Sequence, residues 1–345
     1  MATMPSRLLI ARPCLPRGKA LSEFHVLMPH PMMPMVMTGV AKAVTLHRLW
    51  EAADPKAELA HLAPLIRGIA AGPGHAMVDA AFMEQFPHLE IIASFGVGYD
   101  HIDAAWAGQH GIIVTNTPDV LNEEVADTAL ALLLATVRHI PQADKYVRNG
   151  KWREKPYPLT ATLRGRTLGI IGLGRIGKAI AARAEAFGLK IAYHGRNAQA
   201  GVPYLFYPTL LGMAKACDIL LAITPGGAST KHLVDAKVLE ALGPDGIFIN
   251  VARGSVVDEA ALIEALQSRK IFSAGLDVFA NEPHVPEALI NMEHVVLLPH
   301  VGSATHHTRN AMGQLVIDNL AAFAAGRPPL TPVAESPWPA TKSAK

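Results

Sequence analysis

The stretch Gly172-Leu173-Gly174-Arg175-Ile176-Gly177 constrains this chain most, because of what stands on either side of it. A short apolar run at 168–171 precedes it and reads as a strand. Residues 175–187 follow and read as a helix. In that setting each glycine has a task. Gly172 permits a tight turn, Gly174 lets the backbone approach a pyrophosphate, and Gly177 lets helix and strand pack closely. The helix N-terminus adds N–H groups and partial positive charge for the phosphates. The same residues nearly spell a phosphate loop, with Lys178 after Gly177. That loop then needs Ser or Thr to hold magnesium, and position 179 is Ala, so nucleotide hydrolysis is set aside.

Strands alternate with helices around this turn. Apolar runs at 168–171, 190–193, 218–223, 247–251, 271–279 and 295–298 are separated mostly by helical stretches at 175–187, 210–216, 236–242 and 258–267. The first half repeats the rhythm more weakly, with strands expected at 24–27, 44–46, 66–69, 90–94 and 112–115. A long helix is expected from Ala129 past Arg138. Such alternation predicts an α/β fold of parallel sheets covered on both faces. Two Rossmann- or flavodoxin-like doubly wound domains are expected, with a cleft between them as the natural ligand site. The helical stretch 304–325 is expected to return to the first domain. Residues 23–116 plus 301–327 would then form a discontinuous substrate domain, and 117–300 the dinucleotide domain.

Composition removes other classes. Lys plus Arg number 31 against 29 Asp plus Glu, a balance with no general pull toward nucleic acid or anionic membrane. The longest apolar run near the middle, 129–135, is far short of the ~20 residues that span a bilayer. Cys14 and Cys217 exclude a disulfide scaffold and a cysteine-rich metal site, and fit a reducing, cytoplasmic setting. Residues 1–22 hold Arg7, Arg12, Arg17 and Lys19 without an acid. A transit peptide is one reading, but three prolines break any amphipathic helix there, so a flexible extension is expected. The Pro-, Ser- and Ala-rich stretch 328–345 is expected to be the other flexible end.

In open α/β sheets ligands sit beyond the carboxyl ends of the strands. Arg253 follows the run 247–251, Glu282 follows 271–279, and His300 follows 295–298. Together they suit one task. A carbonyl that receives hydride needs a proton donor, and His serves near neutral pH. A carboxylate beside it stabilises the imidazolium and fixes the ring. An Arg fork binds a substrate carboxylate and polarises the adjacent carbonyl. His306 and His307 lie close to His300, but no H-E-x-x-H is present and both fall on the following helix, so no metal is expected. A G-x-S-x-G nucleophile elbow is also missing.

The choice of dinucleotide rests on the end of the second strand of that unit. An NAD site places an acid there for the ribose 2′-hydroxyl. Here the residues are His194, Gly195, Arg196 and Asn197, and no acid occurs between Glu185 and Asp218. Arg196 can pair with a 2′-phosphate, with His194 and Asn197 as further donors, so NADP is expected over NAD.

With these residues in view, the sequence resembles the D-isomer-specific 2-hydroxyacid dehydrogenase family, and within it the glyoxylate/hydroxypyruvate reductase branch. The matching stretches are 94–100, 168–177, 250–258, 275–283 and 298–305. The resemblance implies that Arg253, Glu282 and His300 are the catalytic residues and that the backbone at Val97 and Gly98 holds the substrate carboxylate. It implies that Asp277 meets the nicotinamide carboxamide, Arg175 and Ile176 the pyrophosphate, and Thr224 and Val251 the cofactor's flanks. It also implies a homodimer joined through the cofactor domain. Formate dehydrogenases of this fold carry Gln in place of Glu282, and long phosphoglycerate dehydrogenases add a regulatory domain for which the chain is too short. A dinucleotide-sensing corepressor shares the fold and the three residues, but no docking motif supports it. The expected reaction is NAD(P)H-dependent reduction of a small 2-oxoacid to a D-2-hydroxy acid.

Overall fold

The structure is a computed structural model and describes residues 23–72, 77–336 and 338–339. The extension expected over 1–22 and the last residues of the expected tail lie outside them.

The first unit runs β1 (His25–Met28), α1 (Pro34–Ala43), β2 (Thr45–Arg48), α2 (Pro55–Leu62), β3 (Ile66–Ala71), α3 (Ala80–Met83), β4 (Ile91–Ser94), α4 (Ala104–Gln109) and β5 (Ile113–Thr115). Two helices, α5 (Asn122–Arg138) and α6 (Ile140–Arg148), lead to the second unit. There follow β6 (Thr167–Ile171), α7 (Arg175–Ala186), β7 (Lys190–His194), β8 (Leu205–Tyr207), α8 (Leu210–Ala216), β9 (Ile219–Ala222), α9 (Ala236–Leu242), β10 (Ile247–Asn250), α10 (Glu259–Gln267), β11 (Ser273–Leu276), α11 (Glu287–Ile290), β12 (Val296–Leu297) and α12 (His306–Ala324).

All ladders between these strands are parallel. The first sheet has the order β2-β1-β3-β4-β5, the second β12-β11-β10-β9-β6-β7-β8. In both, the order reverses beside the first strand, and crevices form there at the strand ends. Strands β4, β9, β10 and β11 are buried at every residue, as a parallel sheet covered on both faces requires. Most helices that follow strands start on a side-chain cap: Asp54, Asp79, Asp103, Asp235 and Asp258, and the threonines 209 and 305, each accept first-turn N–H bonds.

Helix α12 closes the first unit, for Met312, Val316 and Leu320 share a core with Val26, Val36, Val40 and Ala93. Helix α5 belongs to the second, where Ala129, Leu132 and Leu133 pack with Ile170, Ile180 and Ile249.

Three expectations change. Helix α5 starts at Asn122 rather than Ala129, because its first turn carries Glu123 and Glu124 and only its middle is continuously apolar. Strand β8 is not among the expected strands. Three residues at a sheet edge carry little periodicity, and Leu205 is exposed. The expected flexible end is docked from Leu330 to Ser336. Val333 N–H donates to the Val114 carbonyl at 2.9 Å, Val114 N–H to Ser336 Oγ at 2.8 Å, and Thr331 Oγ1 to the Asn116 carbonyl at 2.6 Å. Pro332 bridges Thr115 in antiparallel sense. The segment therefore covers the edge of β5, which would otherwise present unpaired backbone groups. A composition typical of loose tails does not reveal that function.

Among the described residues, no helix is long and apolar enough to cross a membrane, and no group of three or more His, Cys, Asp or Glu could hold a metal ion.

Candidate active site

Beyond β6 the chain turns at Gly172 with φ +97°, a left-handed conformation that favours glycine. A Cβ there would press on the Ile223 carbonyl oxygen at 3.0 Å and on Thr224 at 3.1 Å, so the turn lies against the end of β9. Gly177 backs onto the Gly172 carbonyl. At Gly174 a Cβ would meet nothing within 4 Å, so this side of the turn is open. Helix α7 starts on Gly174 with no side-chain cap, leaving its first N–H groups for a ligand. This cradle fits a pyrophosphate. Arg175 offers it a backbone N–H, and its exposed guanidinium pairs through Nε with Asp119 at 3.1 Å. Ile176 packs inward between the apolar cores of both units. Val251 is buried where β10 ends, and its N–H donates to the Ala222 carbonyl of β9.

The end of β7 is braced. His194 Nδ1 lies 2.9 Å from the Tyr207 carbonyl. A carbonyl only accepts, so Nδ1 carries the proton, and the neutral ring offers Nε2 as an acceptor. His194 can donate to a phosphate only as the imidazolium. Arg196 and Asn197 are exposed. Arg196 takes part in none of the ion pairs among the described residues. Gln199 ties this loop back to the glycine turn. Its Nε2 donates to the Leu173 carbonyl at 2.7 Å, and its N–H to the buried Tyr193 hydroxyl at 2.7 Å.

The Arg, Glu and His come from three strand ends. Gly254 has no room for a Cβ because the Phe279–Ala280 backbone abuts it, which brings the loop after β10 against the loop after β11. Glu282 Oε1 accepts the Phe279 N–H at 3.0 Å, and Oε2 lies 2.7 Å from His300 Nδ1. Burial pushes the Glu282 carboxyl up. The His300 hydrogen bond, the Phe279 N–H and the charges of His300 and Arg253 outweigh it and hold the group below its ordinary value. An ionised Glu282 only accepts, so His300 Nδ1 carries a proton and Nε2 is the atom left to exchange one.

Asp277 sets the backbone of that histidine. Its carbonyl accepts the His300 N–H at 2.9 Å, while its carboxylate accepts Val301 N–H at 2.7 Å and Gly302 N–H at 2.9 Å. These bonds hold His300 at φ 53°, a left-handed conformation uncommon for a residue with a Cβ. Burial pushes the Asp277 carboxyl up, against the opposing effect of the two N–H donors.

Arg253 spends part of its fork internally. Nε donates to Asp100 Oδ1 at 3.0 Å and Nη1 to the Ala252 carbonyl at 2.8 Å. Nη2 lies where a Cβ on Gly98 would stand. The guanidinium thus faces the loop 96–98, whose Val97 carbonyl is held by Asn116 Nδ2 at 2.9 Å.

A family model for the NAD binding domain of D-isomer specific 2-hydroxyacid dehydrogenases matches residues 130–302. A glyoxylate/hydroxypyruvate reductase of Arabidopsis thaliana is 47% identical over 313 residues, covering 91% of this chain and 100% of that one. The chain belongs to the D-isomer specific 2-hydroxyacid dehydrogenase family. A hydroxyphenylpyruvate reductase of Plectranthus scutellarioides is 44% identical over 308 residues, 89% of this chain and 98% of the relative. The crystal structure of an NADPH-dependent glyoxylate/hydroxypyruvate reductase of Sinorhizobium meliloti, in complex with NADP and malonate, superposes with a TM-score of 0.87. It has 52% identity and covers 92% of this chain and 98% of that one.

The structure brings Arg253, Glu282 and His300 together with the loop at Val97 and Gly98, and sets the glycine turn beside Thr224. It also shows partners that sequence reasoning gave no role: Asp100, Asp119 and Gln199. Asp100 stands in a glycine-rich loop three residues from Val97, and a charge there is a usable signal. Nothing local marks Gln199.

Proposed function

We propose that this protein reduces small 2-oxoacids, glyoxylate and hydroxypyruvate first among them, to D-2-hydroxy acids, and that it prefers NADPH to NADH. The observation that carries the reading is the His300–Glu282 pair at 2.7 Å, held beside Arg253 on the rim of a dinucleotide-type turn. The names of the relatives support the same substrates.

In this reading Gly172, Gly174, Gly177 and the first N–H groups of α7 hold the pyrophosphate, with Thr224, Val251 and Asp277 along the rest of the dinucleotide. When bound, the reduced nicotinamide supplies the hydride that reaches C2 of the oxoacid. The free Nη edge of Arg253 and the backbone at Val97 and Gly98 take the substrate carboxylate. His300 holds a proton at Nε2 and gives it to the carbonyl oxygen as that oxygen gains negative charge. Glu282 stays ionised, keeps the ring oriented and stabilises the imidazolium.

NADPH preference is supported by Arg196, which is exposed at the end of β7 where no acid stands and is in no ion pair among the described residues, and by the NADP complex of the Sinorhizobium relative. A homodimer is supported by the apolar side chains Ile140, Val147, Trp152 and Leu159, exposed on and after α6. A cytoplasmic setting is supported by the free, buried Cys217. The corepressor alternative is not favoured, because the relatives are named as reductases.

Initial rates on a panel of 2-oxoacids with NADPH and with NADH test the reading. Turnover of glyoxylate and hydroxypyruvate with NADPH is expected. Absence of turnover on every 2-oxoacid with both cofactors overturns it.

A further inference from the structure

Arg253 is the residue on which substrate orientation depends in the reading above, and the protein supplies it with a partner from the other unit. Asp100 lies in the loop after β4 and Arg253 in the loop after β10, 153 residues apart in sequence. Asp100 Oδ1 accepts from Nε at 3.0 Å, and both side chains are about seven-tenths covered, at 30% and 29% exposure. Gly226 closes over the pair. A Cβ on it would stand 2.9 Å from Arg253 Cγ and 3.0 Å from the Asp100 carboxylate. Gly98 opens the other side to Nη2, and the Ala252 carbonyl takes one Nη1 hydrogen.

The guanidinium is therefore held by two acceptors and walled by two glycines. A planar fork fixed at Nε and Nη1 can present only its Nη edge outward. We propose that Asp100 is a positioning residue for the reaction: it fixes the Arg253 guanidinium across the two units, so that only the Nη edge meets the substrate. This rests on the reading of Arg253 as the substrate-carboxylate ligand. Asp100 itself touches no substrate. Its part is to remove the swing of a long side chain before substrate arrives, and a misplacement of about 1 Å costs on the order of 10²-fold in rate.

The test compares Asp100→Ala and Asp100→Leu, which lose the acceptor, with Asp100→Asn, whose amide oxygen keeps it. Each is made in the wild type and in an Arg253→Lys background. Thermal melts and NADPH dissociation constants by fluorescence titration accompany hydroxypyruvate kinetics. Asp100→Ala and Asp100→Leu are expected to lower kcat/KM by about 10²-fold, with NADPH affinity unchanged, and Asp100→Asn to stay within a few-fold of wild type. In the Arg253→Lys background the further loss from Asp100→Ala is expected to be under about threefold, because coupled residues are not additive. Wild-type kcat/KM in Asp100→Ala and Asp100→Leu overturns the proposal. So does a full loss from Asp100→Asn, or an undiminished loss in the Arg253→Lys background. If Arg253→Lys alone leaves kcat/KM unchanged, the reading of Arg253 fails first.

Discussion

Replacing Glu282 by Gln changes one atom and, in this geometry, reverses a hydrogen bond. The Phe279 N–H needs an acceptor and finds it in one carboxylate oxygen at 3.0 Å. In the variant the amide oxygen takes that place, and the amide NH2 then faces His300 Nδ1. Two donors cannot share that 2.7 Å contact, so Nδ1 must give up its proton and accept. The neutral ring then carries its proton on Nε2, but the imidazolium that the proposed reaction needs meets a repelling donor. The wild-type bond is charge-assisted, and such bonds contribute ~1.5–3 kcal/mol, or roughly 10- to 100-fold in rate. His300 is 39% and Glu282 33% exposed, so solvent screening favours the lower end. The assay is kcat for hydroxypyruvate reduction at saturating NADPH. In the proposed reaction His300 gives up a proton that the ionised Glu282 helps it hold, so Glu282→Gln is expected to lower kcat by about tenfold. A variant with wild-type kcat would refute the reasoning.

His300→Ala is expected to keep NADPH affinity and to lose turnover by ~10²–10⁴-fold, the range for a removed acid–base group; near-normal kcat sinks the assignment. Arg253→Lys keeps the charge without the planar edge, and a large fall in kcat/KM for 2-oxoacids is expected, which the same kinetics measure. Arg196→Ala is expected to weaken NADPH binding roughly 10- to 100-fold and to leave NADH nearly unchanged, read by titration of both cofactors; equal losses make Arg196 an ordinary loop residue. Glu282 sits below its ordinary value when folded, so its contribution to stability is present above the ordinary carboxylate range and is lost as pH falls through the depressed value. Acid melts of wild type should show this loss, and Glu282→Gln should not. Removal of the chain after residue 329 takes away the buried Val333 and bares the β5 edge, and a stability loss of at least ~1.5–3 kcal/mol is expected for the loss of that side chain alone by denaturant titration.

Much of this fold is written locally. The turn at Gly172 is legible because three glycines within six residues each meet a separate steric demand, and the structure places each demand: a left-handed φ, an open face and a backbone contact. Strand ends carry Arg253, Glu282 and His300 because a parallel sheet gathers its loops at one edge. Topology, rather than proximity in sequence, makes these residues neighbours. What stayed hidden has a different physical origin. Strand β8 is short and half-wet, so its side chains follow no period. The first two turns of α5 are polar at the surface and show no apolar run, yet Val125 and Ala126 within them are buried. The docked end at 330–336 is held mainly by backbone bonds to β5 and by Asn319 of α12, whose amide oxygen accepts from Leu330 N–H at 2.8 Å and Thr331 N–H at 3.1 Å. Such bonds are indifferent to side-chain type and leave no pattern to read.

The same distinction explains why the charges of the site are legible as single residues but not as a circuit. Arg253 is legible from what a guanidinium can do to a substrate, which needs only its own chemistry. Its orientation is set by Asp100 and by glycines at 98 and 226, each from a different loop. Glu282 is legible as the partner of His300, yet its second oxygen is committed to the Phe279 backbone, and that bond decides how the Gln variant must behave. His300 in turn owes its backbone conformation to Asp277, whose carboxylate and carbonyl take three successive N–H groups from residues 300–302. Each reactive side chain thus has one bond that defines its chemistry and another that defines its position. A substitution that preserves the first and breaks the second should leave a residue of the right type in the wrong place. That is why the acceptor on Asp100 and the Phe279 N–H, neither of which touches the reacting atoms, are expected to move the kinetics as surely as the charges do.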